Sequence, residues 1–171
     1  MATIDEAQRV VAIVRDAGGR IVGRTRLQKI GFILEAAGLG AGFTFKYKHY
    51  GPYSEELSAA SRIAVVLGLM QETEQPASWG GLYSTFFTEL PADQNVPLAR
   101  RQIAQATVDA DAVELELAAT ALFLATEGVQ GPWTETARRK PDKAVGRLEQ
   151  AKDLYAQLRQ IQTPQPLPQI L

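Results

Sequence analysis

Any chemistry in this chain has to proceed without thiols. The 171 residues contain no cysteine and a single histidine, His49. Disulfides, cysteine nucleophiles, thiolate metal sites and multi-histidine metal centres within one chain are excluded together. His49 stands between Lys48 and Tyr50 on a predicted strand. A general base needs a positioned partner and a substrate pocket. The sequence offers neither, so a half-buried strand histidine with one hydrogen bond is expected. The carboxylates Asp109, Asp111, Glu114 and Glu116 lie at the start of a predicted helix, where negative charge complements the helix dipole. Asp111 and Glu114 share a face, but no metal or acid-base role is read from them. Gly51-Pro52-Tyr53-Ser54 lacks the spaced glycines and the Lys-Ser/Thr ending of a phosphate loop. Its expected job is to turn the chain and set the start of a helix, with Tyr53 packed beneath. No catalytic residue, cofactor or metal site is expected, and the chain reads as a non-enzyme.

Binding has more material. Arg24, Arg26 and Lys29 cluster at a predicted helix N-terminus, where positive charge is slightly disfavoured by the dipole. A bound polyanion would offset that cost, because amides and cationic side chains converge there. Lys46 and Lys48 share the outer face of a predicted strand and would extend the patch. Between Arg20 and Tyr50 six basic residues face one acid, Glu35. Arg24, Arg26, Lys29, Lys46 and Lys48 are therefore the candidate nucleic-acid-binding residues. The competing reading is a solvated basic face paired with acids such as Glu55 and Glu56. Trp79, at a predicted loop tip, and Tyr53 are the candidate partner-binding residues, since exposed aromatics often anchor partners.

Global composition favours neither nucleic acid nor a membrane. The formal net charge is −1, with 46% hydrophobic and 22% charged residues, ordinary values for a soluble globular protein. No field of one sign drives association, so a polyanion site has to be local. MATIDEAQR is polar and acidic, unlike a signal peptide. The apolar stretch Leu115 to Ala125 is too short to span a bilayer. A soluble, cytoplasmic protein is expected.

The elements that must position these residues follow from periodicity. Ile4 to Ala17 reads as a helix stopped by Gly18-Gly19, and Arg20-Ile21-Val22 as an extended link. Thr25-Arg26-Leu27-Gln28 fits a capping box, opening a second, mostly buried helix that ends at Gly38. Phe43 to Tyr50 alternates as a half-buried strand. Gly51-Pro52 then forces a turn, and Ser54 caps a third helix with Glu55 and Glu56 in its first turn. Leu69 to Leu90 reads as a long hairpin, pairing with or beside that strand. In a winged helix the third helix would meet base edges, but Glu55 and Glu56, balanced only by Arg62, disfavour that use. Pro97 opens a helix through Thr107. Asp109 or Asp111 caps a helix that is apolar on nearly every side through Thr126, and so central. Thr134 caps a short helix interrupted at Pro141, and a last helix runs from Asp142 to Ile161. The fold class is mainly α with a small antiparallel β element. It divides into a winged-helix-like half (1–90) and a C-terminal helical half (91–161) within one domain, followed by a flexible tail over 162–171.

GRTRLQKIGFILEAAG followed by FKYKHYGPYSEEL resembles the YwgA family of uncharacterised bacterial and archaeal proteins. The matching positions are Gly23, Leu27, Gln28, Lys29, Tyr50, Gly51, Pro52, Tyr53, Ser54 and Leu57. ELAATALFLATEG, the Lys140-Pro141 step and a terminal helix look like the same family's C-terminal half. A looser similarity runs to the Panacea domains of SocA-like antitoxins, which share a Leu-Gln-Lys helix and a Tyr-Gly-Pro turn. The resemblance implies a fold and points toward antitoxin or defence-related protein binding. The expected function is a partner-binding module with an unidentified protein partner. The alternative is a winged-helix nucleic-acid-binding protein, and self-association is left open.

Overall fold

A computed structural model describes residues 2–171. The chain is mainly helical with a small antiparallel sheet. Helix α1 (Ile4–Asp16) starts at Thr3, which forms a reciprocal capping box with Glu6. The segment expected to be a plain link, Arg20–Val22, is strand β1. It pairs with β5 (Leu82–Phe87), and β4 (Gln71–Pro76) pairs with the other edge of β5, giving the order β1-β5-β4. Ile21 and Phe86 are direct partners in that register and both are buried. Three residues suffice for a strand here because β5 supplies the ladder and the core covers one face.

Helix α2 (Arg24–Ala36) begins two residues earlier than the expected capping box, with Gly23 and not Thr25 as its N-cap. Gln28 does not reach back to Thr25. Its side-chain amide instead donates to the Ser54 carbonyl at 3.0 Å and accepts from the Ser54 amide at 2.8 Å. That two-point clamp fixes the start of α3 (Glu55–Val66), whose N-cap hydroxyl is Ser54.

Between α2 and α3 lies a separate hairpin of β2 (Lys46–Lys48) and β3 (Gly51–Tyr53). The expected long strand is thus only three residues, and the turn falls at His49-Tyr50 rather than at Gly51-Pro52. His49 is exposed in that turn, not half-buried on a strand. The β4-β5 hairpin pairs with β1 and not with β2, contrary to expectation. The physical reason is that β3 packs against α2 and α5, which carries this small hairpin to the helical side of the molecule.

The C-terminal part is built on α5 (Ala112–Thr126), capped by Asp111, whose ten residues from Leu115 to Leu124 are all buried. Around it pack α2, α6 (Pro132–Arg139) and α8 (Leu148–Arg159). Each fully buried Leu on it contributes on the order of 2 kcal/mol of apolar transfer, which makes this helix the shared centre of both halves. Helix α4 (Leu98–Val108) packs on α1 and α2. The predicted last helix is divided into α7 (Pro141–Ala144) and α8 by a turn at Val145-Gly146. Residues 162–171, expected as a flexible tail, return to the body instead. Leu167 is buried, Gln165 donates its amide to the Ala37 carbonyl, and Tyr155 donates its hydroxyl to the Pro168 carbonyl. The prolines of this segment carry no amide hydrogen that needs a partner, so an irregular path against the body leaves few orphan groups.

Candidate functional site

The N-terminus of α2 opens on a cleft of about 970 Å³. The β4-β5 hairpin forms one wall, with Trp79, Leu82 and Tyr83. The first turns of α5 form the other, with Ala112, Val113 and Leu115. Lys29, Tyr50, Glu116 and Lys143 also line it. A second cavity of about 340 Å³ adjoins it and holds Tyr53, Leu57 and Glu72. Arg24, Thr25, Lys29 and Tyr50 line both cavities.

The five basic residues expected to share one surface are dispersed. Arg24 is exposed but bonded to Glu72 at 2.8 Å and Glu74 at 3.4 Å on the hairpin. Burial pushes the Glu72 carboxyl up, but hydrogen bonds from Ser84 and Arg24 outweigh it and leave the group below its ordinary value. Arg26 points the other way. Its guanidinium donates to the carbonyls of Val22 at 3.1 Å and of Thr107 and Val108 at 3.2 Å, and to that of Ala110. It thereby adds a donor for carbonyls at and beyond the end of α4, where helical amide partners run out, although that of Thr107 also accepts from the Ala110 amide. Lys48 pairs with Glu55 and lies 5.3 Å from the centre of the Tyr53 ring. Lys46 is exposed.

Lys29 is 1% exposed, a correction to its place in a solvated patch. Its ammonium donates to the Pro52 carbonyl at 2.9 Å. Loss of hydration pushes it down to about 7, an effect that Glu116 opposes and that Lys140 and Lys143 reinforce. Glu116, also buried, bonds Lys140 at 3.0 Å and, through both oxygens, Lys143 at 2.8 Å. Lys140 additionally donates to the His49 carbonyl at 3.0 Å. Lys143 lies 4.8 Å from the centre of the Tyr50 ring. One turn along α5 from Glu116, the fully buried Thr120 hydroxyl has no hydrogen-bond partner.

Four separate stretches of sequence therefore meet: Leu27-Gln28-Lys29, Tyr50-Gly51-Pro52, Glu116 and Lys140-Pro141. Each of the four is legible in the sequence but their meeting is not, and Glu116 reads there as an acid serving the dipole. The available signal was position. Glu116 is followed by eight residues, Leu117 to Leu124, without a charge, and an ionised group in such a run has to be paired.

Of the two aromatic candidates, Trp79 is 75% exposed at the hairpin tip and lines the large cleft. Tyr53 is half-buried and lines the smaller cavity. Among the described residues no group of three or more His, Cys, Asp or Glu is placed to hold a metal ion, and no helix is long and apolar enough to cross a membrane. No family model matches the chain, and comparisons with curated proteins and with solved structures return no significant match.

Proposed function

We propose that the chain is a cytoplasmic, non-enzymatic module that binds a protein partner in the cleft between the β4-β5 hairpin and α5. The observation that carries this reading is the exposure of Trp79 and Leu82, at 75% and 65%, on one wall of a cleft whose opposite wall holds Val113. Large apolar side chains left exposed together, with polar groups at the margin, mark interaction surfaces. Aromatic anchors of this kind dominate binding energy where they occur.

Element order supports a winged-helix reading of residues 1–90. α1, β1, α2, α3, β4 and β5 follow one another with the sheet order β1-β5-β4, and the small β2-β3 hairpin is an insertion before the third helix. Use of this fold for nucleic acid has less support. Arg24, Arg26, Lys29 and Lys48 are all engaged within the chain, and α3 presents Glu55 and Glu56 at its start. The resemblance to the YwgA family and to SocA-like Panacea antitoxins supports looking for the partner in an antitoxin or defence setting.

The test is affinity capture from lysate of the source cells, with and without nuclease, comparing the wild-type chain with the Trp79→Ala/Leu82→Ser double variant. The expected result is a protein retained by the wild type and lost from a variant that melts at the same temperature. Retention of nucleic acid, with every captured protein lost on nuclease treatment, would overturn the reading in favour of nucleic-acid binding.

A further inference from the structure

We propose that the part of the cleft lined by Lys29, Lys143 and Glu116, beside the N-terminus of α2, receives a carboxylate of the docked protein segment. The segment's neighbouring apolar side chain would pack against Trp79, Leu82 and Val113. The inference rests on the protein-binding reading above and names the chemistry of its partner.

Charge is the first argument. The ammonium groups of Lys140 and Lys143 share the single carboxylate of Glu116, and the buried Lys29 side chain feels the same carboxylate. The other acid at the cleft, Glu74, lies on the hairpin and is bonded to Arg24. One carboxylate thus serves two ammonium groups, and a further negative group here would balance them and favour the protonated form of Lys29. Lys140 is already satisfied by Glu116 and the His49 carbonyl. Lys29 is not. An ammonium has three donors, and the Pro52 carbonyl takes one of them. Lys143 keeps 37% of its side chain exposed while lining the cleft.

The start of α2 adds donors at the same cleft. Gly23 caps α2 with no side-chain acceptor, so the first amides of a thirteen-residue helix face the cleft with the positive end of its dipole. The apolar walls are continuous with this cationic part, so the cleft matches a segment that carries an acidic group next to a large apolar side chain.

The experiment titrates the full chain, carrying lysine labelled with 13C at Cε, with N-acetyl-leucine, N-acetyl-leucinamide and inorganic phosphate. N-acetyl-leucine is expected to shift the Lys29 and Lys143 resonances saturably in the millimolar range. The amide, which lacks the charge, should bind at least about tenfold more weakly, a difference of about 1.4 kcal/mol. Lys143→Met should remove most of that preference. Equal binding of acid and amide, or no shift up to tens of millimolar, overturns the proposal, and the wild-type comparison alone decides it if the variant does not fold. Phosphate binding more tightly than the acid also overturns it. The two readings fail separately. A preference for the acid without any captured protein removes the protein partner and leaves the carboxylate site, whereas capture without such a preference removes this inference alone.

Discussion

Glu116 and Lys140 pair at 3.0 Å with side chains 5% and 6% exposed, joining α5 to the point where α6 gives way to α7. Breaking one side of a buried pair leaves the other charge uncompensated and typically costs about 3–5 kcal/mol. Glu116→Gln strands Lys140 and Lys143 beside Lys29, so its unfolding free energy in urea should fall by that order. Lys143→Gln removes a partly exposed partner and should cost about 1 kcal/mol or less. Equal stability of Glu116→Gln and wild type would show that the cluster does not hold the two segments together.

Lys29 sets the expected pH dependence. Its folded-state value is about 7 against an ordinary 10.5, because burial strips its hydration. Between those values the unfolded chain holds a proton that the folded chain has lost, so stability rises with pH across the window. Below about pH 7 the folded state carries the full cost of burying the charge. At about 1.4 kcal/mol per unit, wild type should gain on the order of 3 kcal/mol relative to Lys29→Met between roughly pH 7 and 9.5. Above that the unfolded lysine nears its own ordinary value of 10.5 and the difference levels off. Parallel curves for wild type and Lys29→Met would refute the assignment.

The sequence made most helices legible, because their apolar faces and caps are local signals. Thr3, Ser54 and Asp111 cap the helices that follow them. Pairing was less legible. β1 is three residues long and exists because β5 lies beside it, a partner more than sixty positions away that no local pattern announces. Gln28 looked like a capping residue since Thr25 stands three positions before it, yet its clamp on Ser54 satisfies two backbone groups instead of one. The candidate site was visible only as parts. Lys29, Gly51, Glu116 and Lys140 drew notice separately, and only the packing of α2, β3 and α5 makes them neighbours. The tail misled because its composition is that of mobile segments, whereas Leu167 finds a buried place.

Gly51 should be intolerant of any side chain. Its φ of 95° lies in the region that favours glycine, and a Cβ there would collide with the Thr120 hydroxyl. Gly51→Ala is expected to cost about 1–3 kcal/mol from the backbone, with the collision added. Gly68, at φ 74° in open space, isolates the backbone part, so Gly68→Ala should cost less. Adding Thr120→Ala to Gly51→Ala should recover part of the loss, giving a coupling of about 0.5 kcal/mol or more in a double-mutant cycle. Strict additivity would mean that the close approach of Gly51 to α5 is absent.

Arg24 and Arg26 are two positions apart on one helix but should behave oppositely when replaced. Arg26 donates to four carbonyls, three of them at and beyond the end of α4. Hydrogen bonds from a charged group contribute more than neutral ones, and carbonyls left without a donor keep their desolvation cost. Arg26→Ala should therefore lower stability by about 2–3 kcal/mol, visible as a shift of the urea midpoint. Arg24 is 66% exposed and bonded to Glu72 and Glu74 at the surface. Arg24→Ala should change stability by about 1 kcal/mol or less. The same pair tests the polyanion alternative. If duplex DNA bound through both residues, each replacement would make the salt dependence shallower by about 0.9. With Arg26 turned to α4, the Arg26→Ala variant, measured where it remains folded, should leave any salt slope unchanged. A shallower slope on losing Arg26, with its folded state intact, would return that residue to a nucleic-acid surface and contradict the carbonyl contacts that hold it.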